Sequence, residues 1–301
     1  MKQRIGFIGI GMMGHGMARN LLARGYPLIL KANRHRERLA DLLAAGAAEA
    51  TSNAEVARTS DIVFICVSTS PQVESILHGP EGLLSQARPG LYIVDTSTAE
   101  PASTARLRAD AEARGARYVD APLARTPKEA EEGRLNTMVG ADAADFAALE
   151  PVLRAFCENV FHVGPPGSGH VLKLVNNMLA MSMAASIAEA VAVAAKGGLA
   201  LDKLFEVVSA GGVNSGIFQM MVGRMLQGDL GGLKFAIGNA QKDLRYYTHL
   251  AESLPVPSFM GEAAHQTFVQ ASSLGYADQF IASLFEVQER LAGIPIVSRQ
   301  P

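Results

Sequence analysis

Lys173 and Asn177 stand four residues apart in the run Gly167-Ser168-Gly169-His170-Val171-Leu172-Lys173-Leu174-Val175-Asn176-Asn177. On a helix that spacing projects both side chains from one face. A lysine amine facing a cleft can give a proton to an aldehyde oxygen during reduction, or take one from an alcohol during oxidation. An asparagine beside it can bond the same oxygen or hold the substrate. A lone lysine near a helix start is usually a surface residue, but Leu172, Leu174 and Val175 give this one apolar neighbours.

A second cluster carries different chemistry. Gly9-Ile10-Gly11-Met12-Met13-Gly14 has the spacing G-x-G-x-x-G, follows an apolar strand and opens an amphipathic helix, as the dinucleotide fingerprint requires. Gly9 permits the tight turn, Gly11 lets the backbone approach a pyrophosphate, and Gly14 lets helix and strand pack closely. The helix start supplies unpaired N–H groups and a partial positive charge for the phosphates. At the end of the second strand, Leu30-Lys31-Ala32-Asn33-Arg34-His35-Arg36 has no acidic residue before Glu37. NAD-preferring sites place a carboxylate here for the ribose 2′-hydroxyl. Asn33, Arg34 and Arg36 instead suit a 2′-phosphate, which favours NADP, with NAD still possible.

The elements that must position these groups fall into two sets. Up to about residue 163, β-rich runs at 4–8, 28–32, 61–67, 91–95, 117–120, 136–140 and 159–163 alternate with helical stretches at 12–24, 37–45, 99–114 and 143–155. Alternation of this kind predicts βαβ units and a mostly parallel, doubly wound sheet. The Pro/Gly cluster Gly164-Pro165-Pro166-Gly167 breaks the pattern. Beyond it nearly everything reads as helix: a long apolar segment at 173–196, then helices near 202–209, 217–227, 235–253, 258–274 and 277–292. The expected division is a Rossmann domain over 1–164 and an all-helical domain over 165–301, joined by the long helix. Being apolar on most faces, that helix is expected to be buried on most faces, between domains or in a subunit interface.

The 301-residue chain has a formal net charge of −2, 19% charged residues and 49% hydrophobic residues. That content supports a folded core and gives no electrostatic reason to expect nucleic acid or an anionic membrane as partner. No signal-peptide layout opens the chain, and Lys173, Asn176, Asn177 and Glu189 interrupt the long apolar segment, which suits a buried helix better than a membrane span. Cys66, within a buried strand, and Cys157, at the end of a helical stretch, read as reduced thiols in a cytoplasm. No Cys/His spacing suggests a metal.

Several segments together resemble the β-hydroxyacid dehydrogenase family, which includes 3-hydroxyisobutyrate dehydrogenase and tartronate semialdehyde reductase. Gly9 to Met17 resembles its G-x-G-x-M-G-x-x-M start, and Asp95-Thr96-Ser97-Thr98 its D-x-S-T segment beside the nicotinamide. Gly167 to Asn177 resembles its catalytic segment, and Lys242-Asp243-Leu244 its late K-D-L motif. The resemblance implies hydride transfer between nicotinamide and a small β-hydroxy acid or its semialdehyde. Lys173 is then the general acid/base with Asn177 as partner, and Lys242 lies near nicotinamide or substrate. The implied cofactor-binding set is Gly9, Gly11, Met12, Met13, Gly14, Asn33, Arg34, Val67, Thr96 and Lys242. A homodimer or homotetramer is also implied.

The resemblance breaks at the substrate loop. The family pattern D-A-P-V-S-G-G is here Asp120-Ala121-Pro122-Leu123-Ala124-Arg125-Thr126. Ala124, Arg125 and Thr126 remain the expected substrate contacts, with Asn177 and Lys242. Arg125 can bind an oxyanion bidentately, and the loop resembles the G-R-T loop of sulfolactaldehyde reductases, where arginine faces a sulfonate. Asn214 and Ser215, in the glycine-rich connector 211–216, are possible contacts or simple connector residues. His15, His170, Glu189, the methionines at 178, 181 and 183, Tyr246 and Tyr247 are expected to be structural. Related folds also reduce imines, generally without a lysine at this position, and a dinucleotide-binding module without turnover has no need of the Lys173/Asn177/Lys242 set.

Overall fold

The computed structural model describes residues 2–32 and 36–298. Among them, β1 (Ile5–Ile8), β2 (Leu28–Lys31), β3 (Ala48–Glu49), β4 (Ile62–Ile65), β5 (Tyr92–Asp95), β6 (Arg117–Asp120), β7 (Leu123–Ala124), β8 (Leu135–Gly140) and β9 (Cys157–Gly164) form one sheet. Its order is β3-β2-β1-β4-β5-β6-β8-β7, with β9 on β8. The run from β3 to β6 is parallel throughout, the arrangement of a doubly wound dinucleotide-binding sheet. β8 is antiparallel to β6 and β7 and parallel to β9.

The central strands are buried at every position, as in Ile62-Val63-Phe64-Ile65, because helices cover both faces of the sheet. Successive side chains point to opposite faces. Phe7, Ile62, Phe64 and Val94 enter one core with Met17, Leu21, Leu149 and Phe156. Ile8, Val63, Ile65 and Ile93 enter the other with Val56, Val73 and Leu107. Phe64 meets Phe156 edge to face, with ring centroids 5.4 Å apart. Each such buried side chain contributes about 1.5–3 kcal/mol. The parallel register aligns Ile8, Lys31, Ile65, Asp95 and Asp120 in one row at the carboxyl edge of the sheet. Ligands of open α/β sheets bind along such an edge, at the point where strand order reverses; here that point lies between β1 and β4.

The chain divides into two compact units, Met1–Lys173 and Leu174–Pro301, with the division inside one continuous helix, Ser168–Lys196. The second unit is helical, with segments Leu201–Ala210, Gly216–Met225, Ile237–Ser253, Phe259–Ala271 and Leu284–Ala292. Its core gathers Met181, Ala184, Ala188 and Val191 of the long helix with Phe218, Met221, Leu244, Phe268 and Phe285.

Several expectations need correction. The long helix starts at Ser168, not at Lys173. Within the single chain it is buried along one stripe, and Leu172, Val175, Leu179, Met183 and Val193 are exposed. Composition cannot separate a uniformly buried helix from one with a bare apolar face. By length and apolar composition this helix could also cross a bilayer, although its buried stripe packs into the helical core. Cys157 opens β9 rather than ending a helix, and Cys66 lies just past the end of β4. Residues 277–280 are not helical; Phe280 bridges to Ala236 instead. Met183 is exposed rather than part of the core, and Glu189 is exposed on the same helix. Burial raises the thiol pKa of Cys66 to about 11, and that of Cys157 also rises, so neither is a ready thiolate nucleophile.

Candidate functional site

The three glycines after β1 have three different physical reasons. Gly9 has φ +100°, and a Cβ there would stand 2.2 Å from the Cys66 carbonyl oxygen. A Cβ on Gly14 would stand 2.1 Å from the Gly9 carbonyl oxygen, so helix Met12–Ala23 can close on β1 only without one. Gly11 is different: its φ is −87°, open to any residue, and nothing lies within 4 Å of a Cβ there. The protein has no internal need for glycine at this position, so the open space beside the backbone suits a group from outside the chain. The helix that follows has no side-chain cap and no acidic residue in its first turn. Its leading N–H groups and dipole are therefore suited to an anion, and the cradle fits a dinucleotide pyrophosphate. Met12 is exposed beside this turn, whereas Met13 packs against the core. Val67 Cγ1 stands 3.1 Å from a Gly9 Cβ, at the edge of the same turn. Asn33 and Arg34 lie outside the described residues, and the side chain of Arg36 is likewise not described.

The 95–98 segment is a hub. Asp95 is fully buried and accepts from the Ser97 amide (2.9 Å) and the Tyr118 hydroxyl (2.8 Å). Burial and the neighbouring Asp95 carboxylate raise the Tyr118 pKa well above its ordinary value, so the phenol stays protonated and donates. Ser97 Oγ accepts from the Val67 amide at 3.0 Å. Thr96, the expected cofactor contact, is buried and gives both its amide and its hydroxyl to the Ile65 carbonyl, at 2.8 and 2.7 Å. Its visible role is to tie β5 to β4. In the sequence Asp95 and Ser97 are letters of a motif; the pairing of Asp95 with Tyr118 and of Ser97 with Val67 has no local sequence signal.

Asp120, at the end of β6, holds the start of the long helix. It is 1% exposed, and its carboxylate accepts from the Gly167 amide at 2.7 Å and the His170 amide at 2.9 Å. A Cβ on Gly169 would stand 2.4 Å from the Met138 carbonyl oxygen, and one on Gly140 would stand 2.7 Å from Asp120 Oδ1. The helix start and sheet end thus meet backbone to backbone. Lys173 lies one turn beyond this clamp and is half-buried, while its neighbours Leu172 and Val175 are exposed and Leu174 is buried. The expected apolar shielding is therefore one-sided.

Asn177, in the helical unit, is buried and donates from Nδ2 to Asp243 Oδ2 at 2.6 Å. The Lys242 ammonium stands 2.8 Å from Asp243 Oδ1 and 5.0 Å from the Tyr246 ring centroid. Asn177 and Asp243, both buried, form one group with the partly buried Lys242, in which the carboxylate charge is matched by Lys242 and a charge-assisted hydrogen bond. Asp243 was not singled out from the sequence, although it sits in the K-D-L motif.

The substrate loop departs from expectation. Arg125 has φ +82°, the left-handed region that favours glycine, at the position where the family pattern has glycine. A left-handed conformation costs a non-glycine residue about 1–2 kcal/mol. Its guanidinium pairs with Glu158, and Nη1 donates to the Arg134 carbonyl at 2.5 Å. It faces β9 rather than an open anion site. Thr126 is a helix cap: its amide and hydroxyl donate to Glu129 at 3.0 and 2.5 Å, and these bonds lower the Glu129 pKa. Ala124 pairs with Asn136 in β7–β8. In the 211–216 connector, Ser215 caps the next helix through the Phe218 amide, and Asn214 Nδ2 donates to the Ser209 carbonyl, so both serve local structure. Among the described residues no cluster of three His, Cys, Asp or Glu could hold a metal.

Residues 4–164 match the family model described as the NAD binding domain of 6-phosphogluconate dehydrogenase. Residues 167–287 match the one described as NAD-binding of NADP-dependent 3-hydroxyisobutyrate dehydrogenase. The chain is 35% identical over 305 residues to 2-(hydroxymethyl)glutarate dehydrogenase of Eubacterium barkeri, covering 99% of this chain and 98% of that one. It is 30% identical over 282 residues to the chloroplastic glyoxylate/succinic semialdehyde reductase 2 of Arabidopsis thaliana, covering 94% and 78%. The solved structure of 3-hydroxyisobutyrate dehydrogenase from Salmonella typhimurium matches with a TM-score of 0.82 at 30% identity, covering 95% of this chain and 100% of that one.

The glycine geometry separates two substitutions that look alike in sequence. Gly11→Ala is expected to keep stability within about 1 kcal/mol, the scale of a helix-cap change, while raising the Kd for NADPH at least tenfold. Gly14→Ala is expected to lose about 1–3 kcal/mol of stability through overpacking. Urea unfolding and NADPH fluorescence titration measure the two quantities.

Proposed function

Since this chain belongs to the NAD(P)-dependent β-hydroxyacid dehydrogenases, the family of 3-hydroxyisobutyrate dehydrogenase, we propose that it is an NADP-linked oxidoreductase of small anionic semialdehydes and β-hydroxy acids, with Lys173 as general acid/base. The observation that carries this reading is the shared sheet edge. Gly9 follows β1 and Asp120 ends β6, so the glycine turn and the helix start that leads to Lys173 stand at one edge, three strand spacings apart. That separation is about 14 Å at the usual strand spacing, suited to a dinucleotide lying along the edge.

The nicotinamide cofactor, when bound, supplies or accepts the hydride. The glycine turn and the first N–H groups of helix Met12–Ala23 would hold its pyrophosphate, with Val67 beside the turn. In the reductive direction Lys173 Nζ gives a proton to the carbonyl oxygen of the aldehyde; in the oxidative direction the neutral amine removes it from the alcohol. Asn177 keeps a second Nδ2 hydrogen beyond the one bound to Asp243, available to the same oxygen. Lys242, held by Asp243, places a cation for an anionic substrate. The substrates named for the relatives, hydroxymethylglutarate, glyoxylate and succinic semialdehyde, are all anions, which supports this substrate class.

NADP preference rests on Asn33 and Arg34, with no carboxylate before Glu37. We further propose a cytoplasmic homodimer or homotetramer that takes neither nucleic acid nor membrane as partner. The two free cysteines support the cytoplasm, the exposed apolar stripe on the long helix supports the oligomer, and the formal net charge of −2 supports the absence of a polyanionic partner.

Lys173→Ala is expected to lower kcat on glyoxylate or succinic semialdehyde at least a hundredfold, the lower end of general acid–base contributions, with the Kd for NADPH within threefold of wild type. Full activity in that variant would remove the catalytic assignment. Arg34→Ala is expected to raise the KM for NADPH at least tenfold and leave that for NADH nearly unchanged. Equal effects on the two cofactors would remove the argument for NADP.

A further inference from the structure

We propose that His170 is a positioning residue for hydride transfer, locking the turn that precedes Lys173 to the Ser97 segment and through it to the Val67 loop. The proposal rests on the reading of Lys173 given above.

His170 has no solvent exposure and is bonded at three places. Its amide donates to Asp120 Oδ2 at 2.9 Å, as part of the helix clamp. Ring Nε2 lies 3.2 Å from the Ser97 carbonyl oxygen, and ring Nδ1 lies 2.7 Å from Thr104 Oγ1. The Ser97 carbonyl can only accept, so Nε2 carries a proton; Thr104 Oγ1, the partner of Nδ1, also lies 3.2 Å from the Glu100 carbonyl oxygen. Both ring nitrogens therefore have a partner. Asp95 Oδ2, 3.8 Å from Nε2 and bonded to the Tyr118 hydroxyl, lies beyond hydrogen-bond distance of the ring.

Ser97 is the other half of the device. Its carbonyl takes the His170 proton, its amide is held by Asp95 and its hydroxyl holds the Val67 amide. One chain of hydrogen bonds therefore runs from the first turn of the catalytic helix, across the end of β5, to the loop after β4. Packing alone would be served by any buried side chain of this volume. Two directed bonds from one ring to separate elements set the register between the proton donor and the loops expected to flank the nicotinamide. A misplacement on the order of 1 Å at a reacting centre can cost about a hundredfold in rate.

The test compares His170→Leu, His170→Gln and Thr104→Val in the full-length protein, with glyoxylate and succinic semialdehyde as probe substrates. In the leucine variant kcat per folded molecule should fall at least thirtyfold, with the Kd for NADPH within threefold. The primary isotope effect with 4-deuterated NADPH should rise as hydride transfer becomes rate-limiting. Glutamine, whose terminal N–H can reach the Ser97 carbonyl, should recover kcat to within fivefold of wild type. Thr104→Val leaves the helix intact and should fall in the same direction as leucine, which covers the case of a leucine variant that does not fold. Independently of turnover, ¹⁵N-histidine-labelled protein should show one exchange-protected ring Nε2–H signal that is absent in the leucine variant. Wild-type kcat in His170→Leu, equal losses in Leu and Gln, or absence of the protected ring proton would overturn the proposal. Full activity of Lys173→Ala would instead overturn the reading beneath it.

Discussion

A carboxylate buried at the end of β6 holds two backbone amides that lie 47 and 50 residues further along the chain. Each partner requires the other. An ionised carboxylate without partners is costly to bury, and the first N–H groups of a helix have no acceptor within the helix. Bringing them together satisfies both, with about 1.5–3 kcal/mol per charge-assisted hydrogen bond and a further contribution from the helix dipole. Gly140 and Gly169 make the approach sterically possible, since a Cβ on either would strike Asp120 or the β8 backbone. This clamp fixes where the long helix begins, and hence which residue stands one turn later.

The rest of the dinucleotide-binding unit is arranged about that edge. The parallel order from β3 to β6 puts the ends of β1, β4, β5 and β6 in register. The polar residues there are mostly spent on one another: Thr96 on Ile65, Ser97 on Val67, Tyr118 on Asp95, His170 on Ser97 and Thr104. Such a network leaves few rotamers free, which is what a site needs if donor and acceptor are to meet within fractions of an ångström. No neighbouring atom explains a glycine at position 11, and the open space beside it is the feature that points outward, toward a ligand.

The sequence was most legible where one residue type has one physical reason. The glycine turn, the central strands and the Lys173/Asn177 spacing stood out because periodicity and glycine placement are local properties. Helices Asn53–Thr59 and Ser70–Leu77, of 7 and 8 residues, are too short to show a helical period, although their caps are legible: Ser52 with Glu55, and Thr69 with Gln72 in a capping box. The two-residue strands β3 and β7 are too short to show a period. The early start of the long helix, the Asn177–Asp243–Lys242 group and the Arg125–Glu158 pair depend on partners distant in sequence, which no local pattern encodes. The positive φ at Arg125 was hidden because the residue type argues against it; only its place opposite a family glycine gave a hint.

The account stands on the Asp120 clamp, and amide hydrogen exchange in Asp120→Ala measures it without reference to substrate or cofactor. The amides of Gly167 and His170 are expected to exchange at least tenfold faster than in the wild-type protein, with β1 and β4 unchanged. Unaltered protection at residues 167–170 would show that the helix start is fixed by something else, and the positioning of Lys173 would have to be derived anew.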